Sequence, residues 1–287
     1  MVRAIPEKTF EHWTSMYLAN RFARSALWWP TAGEDVHVED LGNLPGKALL
    51  LELKVPEEGT PTHTLTIGIP QLRRYVTWRR TRGIPTYYAY PWPPWTGDLH
   101  ASGWLGTERR ADIAYLRTEE RWFGNWTSVC PAESLIAHLS PKPRQQTAVL
   151  STDPAAALGW RDFWTAQANC GNQALPAIFL MPPNSDLGAT ATREELRAQL
   201  ARVRSEFAVL KKANERDMYL EKFRDTPLDA FVPTEEPGTY RAVSRSQLSE
   251  DLLAWREEAS ASGTAAGPPG PDDENLAVCS LPFGHLG

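Results

Sequence analysis

Ala48-Leu49-Leu50-Leu51-Glu52-Leu53-Lys54 is an apolar run that closes on an acid and a lysine two positions apart. Successive side chains on a strand point to opposite faces, so Glu52 and Lys54 share one face. Leu49, Leu51 and Leu53 then point the other way, into a core. A carboxylate and an amine paired at a strand end have two readings. One is the polar face of an exposed edge strand. The other is a site where the acid holds a divalent cation and the lysine steadies an attacking water or the charge that develops on phosphate.

The neighbouring segments favour the second reading. Upstream, Asp35-Val36-His37-Val38-Glu39 alternates as a half-buried strand, with Asp35, His37 and Glu39 on one face. The segment from Asp40 to Gly46 has turn chemistry at both ends, so a hairpin is expected to bring Asp35 beside Glu52. Two carboxylates held together repel unless a cation or a shared proton lies between them. A hard cation with oxygen ligands, most simply Mg²⁺, answers that repulsion. Downstream, Pro70 suits the first turn of a helix. Gln71, Tyr75, Trp78 and Arg82 form one helical stripe, Gly83 is placed to end it, and Ile84 to Tyr90 reads as the next strand.

This order of elements resembles the PD-(D/E)XK, or restriction-endonuclease-like, nuclease superfamily. The matching residues are Asp35, Glu52-Leu53-Lys54, and Gln71 with Tyr75 as the Q-x-x-x-Y element of the RecB-like branch. The resemblance covers about residues 7–90 and extends more loosely to about 139. No proline precedes Asp35, which sits in Gly33-Glu34-Asp35, so Glu34 and Asp40 are alternatives for that acid. The resemblance implies an α/β fold, a central mixed sheet flanked by helices. It also implies Mg²⁺ or Mn²⁺ held by Asp35 and Glu52, with the Leu53 carbonyl as a further ligand. An acid on the first helix is usual in the superfamily, and Glu11 is the candidate, with Glu7 beside it. Lys54 would orient and help deprotonate a hydrolytic water whose geometry Gln71 fixes. The implied activity is hydrolysis of phosphodiester bonds, in DNA, in a defence or mobile-element setting.

Arg73, Arg74, Arg79, Arg80 and Arg82 lie within one short helical stretch of a chain whose net charge is -5. Arg73, Arg74, Arg79 and Arg80, with Tyr75, are candidates to hold a nucleic-acid backbone. The alternative is a solvated helix face whose arginines pair with acids. The acidic balance argues against a protein that coats nucleic acid over its whole surface, but leaves room for a local basic site.

The remaining composition is that of a soluble globular chain: 287 residues, 42% hydrophobic and 23% charged. Cys130, Cys170 and Cys279 form no metal-ligand pattern and read as reduced thiols, which places the protein in the cytoplasm. The N-terminus has no apolar run after its charge, so no signal peptide is expected. No run of about 18 apolar residues occurs, so no membrane helix is expected. Gly-rich phosphate loops, G-x-S-x-G elements and Cys/His zinc patterns are absent from the sequence.

The chain divides by composition into a nuclease-like region at 1–139, a C-terminal α/β region at 140–258, and a Gly-, Ser-, Pro- and Asp-rich tail at 259–287 expected to be disordered. The C-terminal region is expected to hold a long helix over about 193–224. Thr192 and Glu195 supply its capping box, and Leu196, Leu200, Val203, Phe207 and Leu210 form its apolar seam. Whether this region shares the first sheet is open from sequence. It is the candidate surface for a protein partner, and the alternative function is an inactive nuclease-fold scaffold that recruits that partner.

Overall fold

The computed structural model describes residues 7–22, 25–28, 44–55, 65–92, 127–168, 175–182, 186–224, 228–244, 246–252, 254 and 276–282. The helices include α1 (Glu7–Arg21), α2 (Ile69–Arg82), α3 (Ala132–Leu139), α4 (Trp160–Ala168), α5 (Arg193–Ala208) and α6 (Ala213–Arg224), and residues 246–252 are also helical. The first strands are β1 (Ala26–Trp28), β2 (Gly46–Leu53), β3 (Leu65–Gly68), β4 (Thr86–Pro91), β5 (Thr127–Pro131) and β6 (Thr147–Leu150). The rest are β7 (Leu158–Gly159), β8 (Ile178–Met181), β9 (Thr190–Thr192), β10 (Asp229–Pro233), β11 (Thr239–Val243) and β12 (Leu276–Pro282).

Ten strands form one mixed sheet, with the path β7-β5-β4-β2-β8-β10-β11-β9 and with β12 joined to both β2 and β1. The fold is therefore α/β. Because β2 pairs with β8, the two halves of the chain share one sheet. β2 is buried at every position, which matches its central Ala48-Leu49-Leu50-Leu51 run and leaves Lys47 and Glu52 as buried charged residues. β12 lies antiparallel along one edge of β2, from Leu276 opposite Glu52 to Pro282 opposite Gly46. The other edge is divided: β8 pairs with Gly46 to Ala48, and β4 runs parallel to Leu50 through Leu53. Parallel neighbours need a crossover, and here β3 and α2 lie in it.

Period-two alternation sorts the β2 side chains. Leu49, Leu51 and Leu53 meet Phe10 and Leu18 of α1, and Trp160, Phe163 and Trp164 of α4. Ala48 and Leu50 meet the opposite layer, where Leu72 and Tyr75 of α2 join Leu135 of α3 and the small β3–β6 sheet. Pro70 stands in the first turn of α2, and Gly83 caps it at φ 75°. A Cβ on Gly83 would lie 2.5 Å from the Pro233 carbonyl oxygen, so both backbone conformation and space require glycine there.

Two expectations need correction. The tail is not wholly disordered, because residues 276–282 form β12, with Cys279 and Leu281 buried beside α1 and α4. A short strand between two apolar layers gains more from burial than its Gly- and Pro-rich flanks suggest. The long helix is two helices, broken at 209–212. Leu210 N–H bonds Phe207 O to close α5, and Tyr219 of α6 folds back to donate to Glu206 at 2.9 Å. β12 holds a full edge of β2, and residues 35–39, the expected hairpin strand, lie outside the described residues. The capping box of Thr192 and Glu195 is present as expected.

Candidate active site

Glu52 and Lys54 stand at the C-terminal end of β2, beside the parallel strand β4. Glu52 is 0% exposed and Lys54 is 6% exposed. The Lys54 ammonium lies 3.2 Å from Glu52 Oε1. The Lys54 backbone N–H donates to Ala89 O at 2.9 Å, which continues the β2–β4 ladder past Leu53 and fixes the direction of the lysine stem.

α2 reaches the same carboxylate from above. The Tyr75 hydroxyl donates to Glu52 Oε2 at 2.8 Å, and Gln71 Nε2 donates to Glu52 Oε1 at 3.3 Å and to the Tyr75 oxygen at 3.0 Å. Gln71 and Tyr75 are one helical turn apart, so the two donors come from one face of the helix. The Tyr75 ring rests on Tyr88, with centroids 5.9 Å apart. Burial, followed by the charge of Glu52, holds the Tyr75 phenol well above its ordinary range, so it stays a donor. A buried carboxylate needs donors of this kind, since an unpaired one is costly.

Sequence reading therefore brought together Glu52, Lys54, Gln71 and Tyr75. Tyr75 is expected to pack with its hydroxyl near the site edge, and its hydroxyl lies on Glu52. Tyr75, a candidate nucleic-acid contact, is 1% exposed and donates its hydroxyl to Glu52. Leu53 points into the α1 layer, and its carbonyl lies at the strand end beside Lys54. Asp35, with Glu34, His37 and Asp40, lies outside the described residues. Glu11 is buried on α1 and pairs with Lys8 at 3.2 Å. Its helix covers the face of β2 opposite Glu52, so the two carboxylates can meet only past the strand end.

The arginines divide. Arg73 donates to Lys142 O at 2.7 Å and to Pro143 O at 2.6 Å, holding the turn before β6. Arg79 donates to Pro233 O and Thr234 O and lies 3.4 Å from Glu133. Arg82 pairs with Asp251 at 2.8 Å and lies over the Trp78 ring. Arg74 is half-buried, and Arg80 is exposed.

Two features escaped sequence reading. Lys47 is 1% exposed, donates to Gln167 O and lies 5.5 Å from the Phe179 ring centre. At the C-terminal end of β4, Tyr90 and Ser128 both donate to Asp153, at 2.8 and 2.9 Å, pinning the segment after β6 over β4 and β5. A serine, a tyrosine and an aspartate scattered over three segments carry no local pattern that would find this contact.

Among the described residues, no three His, Cys, Asp or Glu side chains gather closely enough to hold a metal ion. Glu52 supplies hard oxygen of the kind that Mg²⁺ takes, usually from one or two carboxylates with several waters retained. A cation there would compete with Lys54 for Glu52 Oε1. Among the described residues, no helix is long and apolar enough to cross a membrane. Comparison with protein-family descriptions, curated proteins and solved structures found no match for this chain.

Proposed function

We propose that the protein is a metal-dependent nuclease of the restriction-endonuclease-like type, acting on phosphodiester bonds in DNA. The observation that carries this reading is the convergence of Glu52 and Lys54 from β2 with Gln71 and Tyr75 from α2 on one buried carboxylate. Glu52, with Asp35 as the expected second acid, would hold Mg²⁺ or Mn²⁺. A bound divalent cation supplies charge stabilisation at phosphorus and at the leaving oxygen. Lys54 orients the attacking water and neutralises charge on the phosphate; Gln71 sets the direction of the Glu52 carboxylate; Tyr75 keeps that carboxylate from swinging away. Lys54→Met, which keeps the stem and removes the charge, is expected to lower the cleavage rate by roughly two orders of magnitude. Equal rates for this variant and the parent would remove the lysine from the reaction.

One observation favours a second reading. The Glu52–Lys54 pair is almost wholly enclosed, as in a polar core that fixes the placement of α2 on β2. On that reading the chain is an inactive scaffold that recruits a protein partner through its C-terminal region. Metal-independent absence of cleavage, with a partner that co-purifies stably, would favour it.

A further inference from the structure

The two oxygens of Glu52 are held unequally. Tyr75 donates to Oε2 at 2.8 Å, an ordinary length for a hydroxyl donor. Oε1 is shared by two longer contacts, Lys54 Nζ at 3.2 Å and Gln71 Nε2 at 3.3 Å. A fully formed bond from an ammonium to a carboxylate measures about 2.7–2.9 Å, so Oε1 is the loosely held oxygen. Gln71 also donates to the Tyr75 oxygen at 3.0 Å, which ties its amide to α2 as well as to the carboxylate.

Lys54 differs from the other two donors in charge and in tether. Its backbone N–H is fixed to Ala89 O at 2.9 Å, and a flexible four-carbon stem separates that anchor from the ammonium. Gln71 and Tyr75, by contrast, stand one turn apart on a helix. A hard cation takes the same anionic oxygen that the ammonium contacts. Two positive charges about 3–4 Å apart repel strongly where water is largely excluded. Glu52 and Lys54 are both buried, so a divalent cation on Oε1 and the ammonium at its present place exclude each other.

We infer that Lys54 is the built-in counter-ion of the Glu52 site: it sets the affinity for a divalent cation by competition and leaves Glu52 Oε1 when that cation binds. The inference rests on the nuclease reading for a divalent metal as the competitor. The displaced ammonium stays tethered through the Lys54 backbone, so it remains at the strand end, where the phosphate lies on that reading. Binding and catalysis then oppose each other at one residue. A variant without the charge takes the metal more tightly and cleaves more slowly. A lysine that only completes a polar core shows no such opposition.

The test is Mn²⁺ binding to the full chain near neutral pH without nucleic acid, read from the EPR signal of free Mn²⁺. Lys54→Met should bind at least about tenfold more tightly than the parent, since one like charge at contact distance is gone. Lys211→Met removes a charge at an exposed position and should stay within about twofold of the parent. Glu52→Gln should abolish binding in either background. Should Lys54→Met fail to fold, the parent decides: saturating Mn²⁺ should raise acetylation of Lys54 by acetic anhydride relative to Lys211, read by mass spectrometry. Affinity in Lys54→Met at or below the parent's, an equal gain in Lys211→Met, binding that survives Glu52→Gln, or unchanged acetylation would each overturn the inference. Mn²⁺ bound by the parent through Glu52, with no gain in Lys54→Met, removes this inference alone. The gain in Lys54→Met without cleavage of DNA by the parent removes the nuclease reading alone. Absence of Mn²⁺ binding by both parent and Lys54→Met removes both.

Discussion

The Tyr75 hydroxyl donates to Glu52 Oε2 at 2.8 Å, tying the middle of α2 to the C-terminal end of β2. Neither group is exposed to water, and this bond joins those from Lys54 and Gln71 in satisfying the pair. Tyr75→Phe keeps the ring on Tyr88 and deletes only the donor. It should cost about 1.5–3 kcal/mol of unfolding free energy, the range for a hydrogen bond to a charged group. Urea denaturation measures this, and a loss below about 0.5 kcal/mol would mean that the bond contributes little.

Alkali should destabilise the protein progressively from about pH 8.5 upward. Burial pushes the Cys130 thiol up to about 12, and raises Cys279, Tyr75, Tyr87 and Tyr90 as well. In the unfolded chain thiols lose protons near about 8.5 and phenols near about 10. Above those values the unfolded state binds fewer protons than the native state, so stability falls as pH rises. The urea midpoint should therefore be flat near neutrality, decline from about pH 8.5 and steepen past about pH 10. Tyr75→Phe should lessen the steeper part.

The parts of this fold legible in sequence are those fixed by local chemistry. Pro70 and Gly83 mark the ends of α2, because one fits a first turn and the other alone tolerates φ 75°. Glu52 with Lys54, and Gln71 with Tyr75, were paired by strand and helix periods. That these two pairs meet follows from the resemblance, since no period crosses between elements. β12 was hidden because seven strand residues sit in a window dominated by Gly, Pro and Asp. The break after α5 was hidden because Leu210 continues the apolar seam; what ends the helix is the return of Tyr219 onto Glu206, a contact between distant residues. Lys47 gave no signal, since a buried lysine and an exposed one look alike in sequence.

β12 should matter to the whole sheet, because it lies between β1 and β2. Leu281 is buried against the α1 layer. Leu281→Ala should cost about 2–5 kcal/mol, the usual range for a buried leucine. Amides of residues 276–281 should exchange with solvent at rates close to those of β2. Exchange as fast as in an unfolded tail, or a cost within about 0.5 kcal/mol, would contradict the placement of this strand.

Hydrolysis at the Glu52 site is tested most directly by incubating labelled DNA with the parent chain and with Glu52→Gln, each in Mg²⁺ or Mn²⁺ and in EDTA. Glu52→Gln keeps the shape of the side chain and removes the anionic oxygen that both Lys54 and a cation require. The account predicts cleavage by the parent with metal, none in EDTA, and loss of at least about two orders of magnitude in the variant. Cleavage by the variant at the parent's rate, or none by the folded parent across metals and substrates, would contradict it.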